Sequence, residues 1–339
     1  MVNKDKNNRA TSYDVARRAG VSQSTVSRCF KPGASISPKL KEKVEAVARE
    51  LNYRPNAIAR GLILQRTGLV AILVSPSINF YYPEALFELT EKLSAQNLRS
   101  LLFTVRQRSD LPNLLDQLWQ YQVDGVISAS FLEQEQYEWL SERRIPVVMF
   151  NRFLATRPSN SVWCDNDNAI EGMVQHLADQ GHQRVAVLGG PETSMVNMAR
   201  VNGIEKALQN HNLQVVYKAH GDFMHESGGP ALHEIIASGS KPSVVIATND
   251  MMALGAIDEA RHVLKMTVPD DLAITGIDGI QAARFSSYNL TTIRQPIERM
   301  ADAAVNMLTA RIDNFSLSDE KRIFTGSFIV GSSSTFISR

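Results

Sequence analysis

The sequence predicts a mixed α/β chain: a small all-α head carrying a helix-turn-helix, followed by two doubly wound lobes. Three observations predict it. Residues 11–28 place two short helical patterns on either side of a glycine. From residue 69 onward, short unbroken apolar runs alternate with helical stretches in two blocks. The two parts also carry opposite charge. Residues 1–66 hold fourteen Lys and Arg against five Asp and Glu, a net of +9, so the chain total of +1 leaves −8 for residues 67–339.

In the head, Thr11 is placed to N-cap a first helix, with Asp14 three residues on as the acidic half of a capping box. Val15, Ala16 and Ala19 then fall on one face, and Gly20 supplies the left-handed residue that ends the helix. Ser22 caps a second helix whose inward anchor is Val26. Gln23, Ser24, Thr25, Ser27 and Arg28 surround that anchor. Small polar side chains let a helix N-terminus approach phosphates and base edges, and the planar fork of Arg28 suits guanine O6 and N7. A solvated helical hairpin would show the same turn. The next segment argues against it. Ser37-Pro38 begins a third helix, and Leu40, Val44, Val47, Ala48 and Leu51 form one apolar stripe that closes a three-helix core. Tyr53-Arg54-Pro55-Asn56 breaks that helix, and residues 56–62 make a short amphipathic piece that is marginal without a partner.

A basic head suits a phosphate backbone, and an acidic body does not compete for it. Cys29 and Cys164 are far apart and lack metal-ligand spacing, as expected of a reducing cytoplasm. No apolar run is long enough to span a membrane, and the polar N-terminus has no signal-peptide core.

The body opens with the buried parallel strand of residues 69–74, a helix from Pro83 to Gln96, and strands at 101–105, 125–128 and 146–150. A second series has strands at 185–188, 215–217, 244–247 and 272–275, with helices near 168–180, 200–210, 228–238 and 251–264. Ligands of open α/β sheets bind beyond the carboxyl ends of the strands. Candidates there are Asn79, Phe80, Arg152, Arg200, Phe223, Asn249 and Asp278. Amides, a guanidinium and a carboxylate pair with neighbouring hydroxyls, and an aromatic face covers a sugar ring. Bland roles compete: Asn249 as a helix cap, Phe80 and Phe223 as core aromatics, Arg200 and Asp278 as a structural ion pair. Two arginines at the site leave an acidic sugar or a sugar phosphate open.

The runs Tyr13-Asp14-Val15-Ala16, Ala19-Gly20-Val21-Ser22, Thr25-Val26-Ser27-Arg28 and Tyr53-Arg54-Pro55-Asn56-Ala57, with Ala59-Arg60, resemble the LacI/GalR family of bacterial transcription regulators. The resemblance covers nearly the whole chain. It implies that Gln23, Ser24 and Arg28 read bases, and that Thr11, Ser12, Ser22, Thr25 and Ser27 contact phosphates. The family's usual Leu-Asn-Gly turn is here Phe30-Lys31-Pro32-Gly33, with Lys31 as the replacement phosphate contact. The resemblance further implies a hinge helix within residues 55–64, bringing Asn56, Ala59 and Leu62 to the DNA, where Leu62 wedges the minor groove at the operator centre. It implies periplasmic-binding-protein-like lobes, about 67–165 plus 294–325 and about 166–293 plus 326–339, with ligand contacts at the seven candidates above. Gly276-Ile277-Asp278-Gly279 lacks the aromatic residue and second polar group usual in the family, which obscures the ligand.

The expectation is a sequence-specific repressor, dimeric with tetramers left open, acting on a palindromic operator under a sugar or sugar-derivative effector. A cytosolic sugar-processing enzyme with a DNA-binding appendage is the alternative. It lacks a P-loop, a Gly-x-Gly-x-x-Gly, a Gly-x-Ser-x-Gly and any metal-ligand spacing, so no catalytic residue, cofactor or metal is expected. An exported solute-binding protein disagrees with the missing leader and the basic head.

Overall fold

A computed structural model describes residues 10–30, 33–54, 66–75, 81–130, 132–154 and 157–335. The chain divides into two units, Met1–Thr67 and Gly68–Arg339.

The first unit contains α1 (Ser12–Ala19), α2 (Gln23–Cys29) and α3 (Pro38–Glu50). Thr11 and Asp14 complete the capping box of α1, and Gly20 ends the helix at φ 66°. Ser22 and Ser37 cap α2 and α3 through the backbone N–H three residues on. Val15, Ala16 and Ala19 meet Val26, Cys29, Val44 and Ala48 in a single small core. The outer faces carry charge: Arg18 reaches Glu50 at 2.8 Å, a pair exposed on both sides and of little energetic weight.

The second unit begins with β1 (Leu69–Val74), α4 (Tyr81–Ala95), β2 (Arg99–Thr104), α5 (Leu111–Gln120), β3 (Gly125–Ser128), α6 (Gln134–Glu142), β4 (Val147–Phe150) and β5 (Ser161–Asp165). It continues through α7 (Asp167–Asp179), β6 (Arg184–Gly189), α8 (Met195–Asn210), β7 (Gln214–His220), α9 (His225–Ala237), β8 (Val244–Ala247), α10 (Asp250–Asp258) and β9 (Ala273–Thr275). It ends with β10 (Thr292–Arg294), α11 (Ile297–Asp313), β11 (Lys321–Thr325) and β12 (Ser327–Ile329).

Two parallel sheets result, ordered β11-β5-β4-β3-β1-β2 and β7-β6-β8-β9. The central strands β3, β4 and β8 are buried along their whole length, as strands covered by helices on both faces must be. The antiparallel pair β10–β12 joins neither sheet. Segments near the C-terminus return to both lobes: β11 pairs with β5 in the first, while Ile293 of β10 packs in the core formed by α7, α8 and β6. Tyr81 and Tyr82, ahead of the expected start at Pro83, are already helical, and β2 begins at Arg99 rather than at residue 101.

Candidate functional site

In the first unit the candidate DNA contacts cluster around the N-terminus of α2. Ser22 Oγ accepts the Thr25 N–H at 3.1 Å and lies 2.8 Å from both Ser24 Oγ and Thr25 Oγ1. Gln23 Nε2 donates to Ser12 Oγ at 3.3 Å, tying α2 to α1. Thr11 donates from its backbone N–H and its hydroxyl to Asp14 at 2.9 and 2.7 Å, which holds that carboxyl below the usual aspartate range. Thr11, Ser22, Ser24, Ser27 and Arg28 are exposed; Ser12, Gln23 and Thr25 are half-buried. Arg28 Nη2 donates to the Ser35 carbonyl at 3.0 Å, which leaves most of its five N–H groups unengaged by that bond. Tyr13, 67 % exposed beside Ser12, adds a phenol that the sequence reading passed over. The expectations for Lys31, Asn56, Ala59 and Leu62 fall outside the described residues.

In the second unit a cleft of about 560 Å³ opens between the two sheets, beyond the carboxyl ends of their strands. Arg152, Arg200, Phe223 and Asp278 all line it. Asn79 and Phe80 fall outside the described residues. Asn249 does not line the cleft. Its Oδ1 caps α10 through the Met252 N–H at 3.0 Å, and its Nδ2 donates to the Phe223 carbonyl at 2.8 Å. Fully buried, it positions Phe223 from behind. Phe223 takes φ 72°, and its ring lies where a side chain on Gly190 would otherwise project.

The wall also holds aromatic residues that the sequence reading did not single out: Tyr81, Tyr82, Phe153 and Trp163. Tyr81 meets Tyr82 edge-on at 5.6 Å, and Phe153 meets Trp163 at 5.2 Å. Trp163 sits on β5, a strand the sequence reading did not anticipate.

Arg200 and Asp278 meet at 2.7 Å, both nearly fully buried. Arg200 also donates to the Thr248 carbonyl at 2.6 Å, while its Nε has no hydrogen-bond partner among the described residues. Burial pushes the Asp278 carboxyl up against the pull of Arg200. Burial also opposes the charge on Arg200, but Asp278 overrides it and raises the guanidinium. Asp278 sits at φ 139°, a backbone conformation that side-chain-bearing residues rarely adopt.

Gln295 bridges the lobes. Its Nε2 donates to Asp278 at 2.8 Å, and its Oε1 accepts from Asn151 at 3.2 Å and Tyr81 at 3.3 Å. Behind Asp278, Asp250 is fully enclosed; it accepts from the Ile280 N–H at 2.9 Å and the Thr292 hydroxyl at 2.5 Å. Burial, with Asp278 adding repulsion, pushes Asp250 up to about 7. Cys164 is pushed up to about 12, chiefly by burial, and stays a protonated, unreactive thiol.

The bacterial regulatory proteins, lacI family model matches residues 11–56, and the periplasmic binding protein-like domain matches residues 174–334. Catabolite control protein A of Priestia megaterium is 32% identical over 304 residues, 88% of this chain and 91% of that protein. The ribose operon repressor of Escherichia coli strain K12 is 32% identical over 321 residues, covering 92% and 96%. The crystal structure of the Lac repressor dimer bound to operator and the anti-inducer ONPF has a TM-score of 0.87, covering 96% of this chain and 99% of that one. At 24% identity that likeness speaks for the fold. With both modules in this order, and this identity to named regulators along nearly its whole length, the chain belongs to the lacI family of bacterial regulatory proteins.

Proposed function

We propose that this chain is a cytoplasmic repressor that binds a palindromic operator as a homodimer and is governed by a sugar or sugar derivative held in the cleft. The observation that carries the reading is a cleft with a buried Arg200–Asp278 pair in the same chain as a capped helix-turn-helix. A buried guanidinium and carboxylate offer donors and acceptors to hydroxyls, and the aromatic wall suits a sugar ring's C–H face. The ribose operon repressor and the operator-bound Lac repressor dimer support the same class of partners. The reading requires ligand binding and no turnover.

In this reading Gln23, Ser24 and Arg28 address bases while Thr11, Ser12, Ser22, Thr25, Ser27 and Lys31 address phosphates. Asn56, Ala59 and Leu62 belong to a hinge segment, with Leu62 as the wedge. Dimerisation relates two α2 helices by a two-fold axis, which makes the operator a palindrome. An effector that favours one arrangement of the lobes changes operator affinity by its preference for that arrangement, typically about 1–3 kcal/mol.

Selection of genomic fragments by the full chain at moderate salt tests this. It should enrich a palindromic site, and Arg28→Ala should cost about 1–3 kcal/mol of discrimination at one symmetric position. Indiscriminate binding to all fragments would sink the reading. Equal loss on every sequence would reassign Arg28 to a phosphate.

A further inference from the structure

The charges lining the cleft do not cancel in its interior. Among the described residues, Arg108 and Glu133 pair with each other at 2.9 Å at the rim, where Arg108 is 81% exposed. Asp222 is also exposed. The charged groups inside are Arg152, Arg200 and Asp278. Asp278 answers Arg200. Asp250 stands off the lining, engaged by Thr292 and the backbone. Arg152 has no carboxylate partner among the described residues. Its Nε donates to the Ala129 carbonyl at 3.1 Å, and its Nη2 faces the Tyr82 hydroxyl at 3.5 Å. Tyr82 in turn donates to the same carbonyl at 3.2 Å, so the guanidinium is braced from behind.

A half-buried cation facing a cleft without a counter-charge attracts an anion, and a planar guanidinium fits a carboxylate or phosphate edge-on. Resting on the regulatory reading above, we infer that the effector is an acidic sugar whose anionic group seats on Arg152 while its hydroxyls meet Arg200 and Asp278. The shared chemistry is a monosaccharide-sized polyol bearing one carboxylate or phosphate. A neutral sugar in the same place could take hydrogen bonds from Arg152 but would leave its charge unmatched, so the acid is selected by the counter-charge the site lacks.

Titration calorimetry on the full chain tests the inference with D-glucuronate, D-galacturonate, D-gluconate and D-glucose 6-phosphate, each against D-glucose and D-galactose. At least one acid should bind about tenfold or more tightly than its neutral parent. The uronate and phosphate arms separate the two sources of charge. Arg152→Ala should erase the preference for the acid, and Arg152→Lys should retain part of it. The inference is overturned if neutral parents bind as tightly, if the preference survives Arg152→Ala, or if none of the acids binds. Gel retardation on the selected operator, run alongside, separates the two failures: selective DNA binding without an acid preference removes the ligand class and leaves the regulator standing, whereas loss of selective DNA binding removes the regulator itself.

Discussion

The N-terminus of α2 and the back of the cleft handle polar groups in opposite ways. Around α2, the partners of Thr11, Ser22, Ser24 and Thr25 lie within three residues, and all but the half-buried Thr25 are exposed. At the back of the cleft, Arg200 bonds Asp278 across 78 residues, and Gln295 reaches Tyr81 across 214, all of them buried. The contrast separates two tasks. A DNA-reading face keeps its groups solvated and available to exchange water for phosphate. A ligand cleft prepares its charges beforehand, away from water, and becomes sensitive to any unmatched group.

Asp278→Ala should break the comparison most sharply. It leaves Arg200 buried and unanswered, so urea unfolding of the second unit should show a loss of about 3–5 kcal/mol. A loss below 1 kcal/mol would mean that the pair behaves like the exposed Arg18–Glu50 bridge.

The next test is pH. The Asp250 carboxyl is raised in the fold to about 7 from an ordinary value of 3.8. Its contribution is fully present below the ordinary value, because both states are then protonated. It is lost as pH rises through about 7, because the folded state holds the proton that the unfolded state has released. Thermal stability of the second unit should therefore fall between mildly acid and neutral pH, and Asp250→Asn should flatten that component. An unchanged slope in the variant would assign the pH dependence elsewhere.

Gln295→Leu should cost about 1–3 kcal/mol by leaving Asn151, Tyr81 and Asp278 short of partners. Hydrogen exchange should quicken on both sides of the cleft together; protection lost on one side alone would deny the bridge. Smallest of all, Thr11→Ala should cost the first unit about 1 kcal/mol through its helix cap, without altering the second unit's melting.

Legibility in the sequence followed the same divide. The capping box, the Gly20 stop and the apolar strands are local patterns, and all were readable. Strand β11 was not: its burial alternates along Lys321–Thr325 and it lies at a sheet edge, so it lacks the apolar run of β3 or β4. The Arg200–Asp278 pairing was legible only as one of two roles, since nothing in sequence spacing fixes a contact that distant. Asn249 was ambiguous for the opposite reason. A cap and a ligand contact use the same residue type at the same place and are compatible with each other; the three-dimensional partners show the cap.

The bare backbone at Gly190 has a consequence for how such a receptor changes its taste. Because the Phe223 ring rests where a Cβ would stand, even a single methyl at that position would force the ring, which lines the cleft, to move. The width of the chamber is thus governed by an atom that is absent. One codon change there would reshape the wall of the cleft without altering any of its charged side chains.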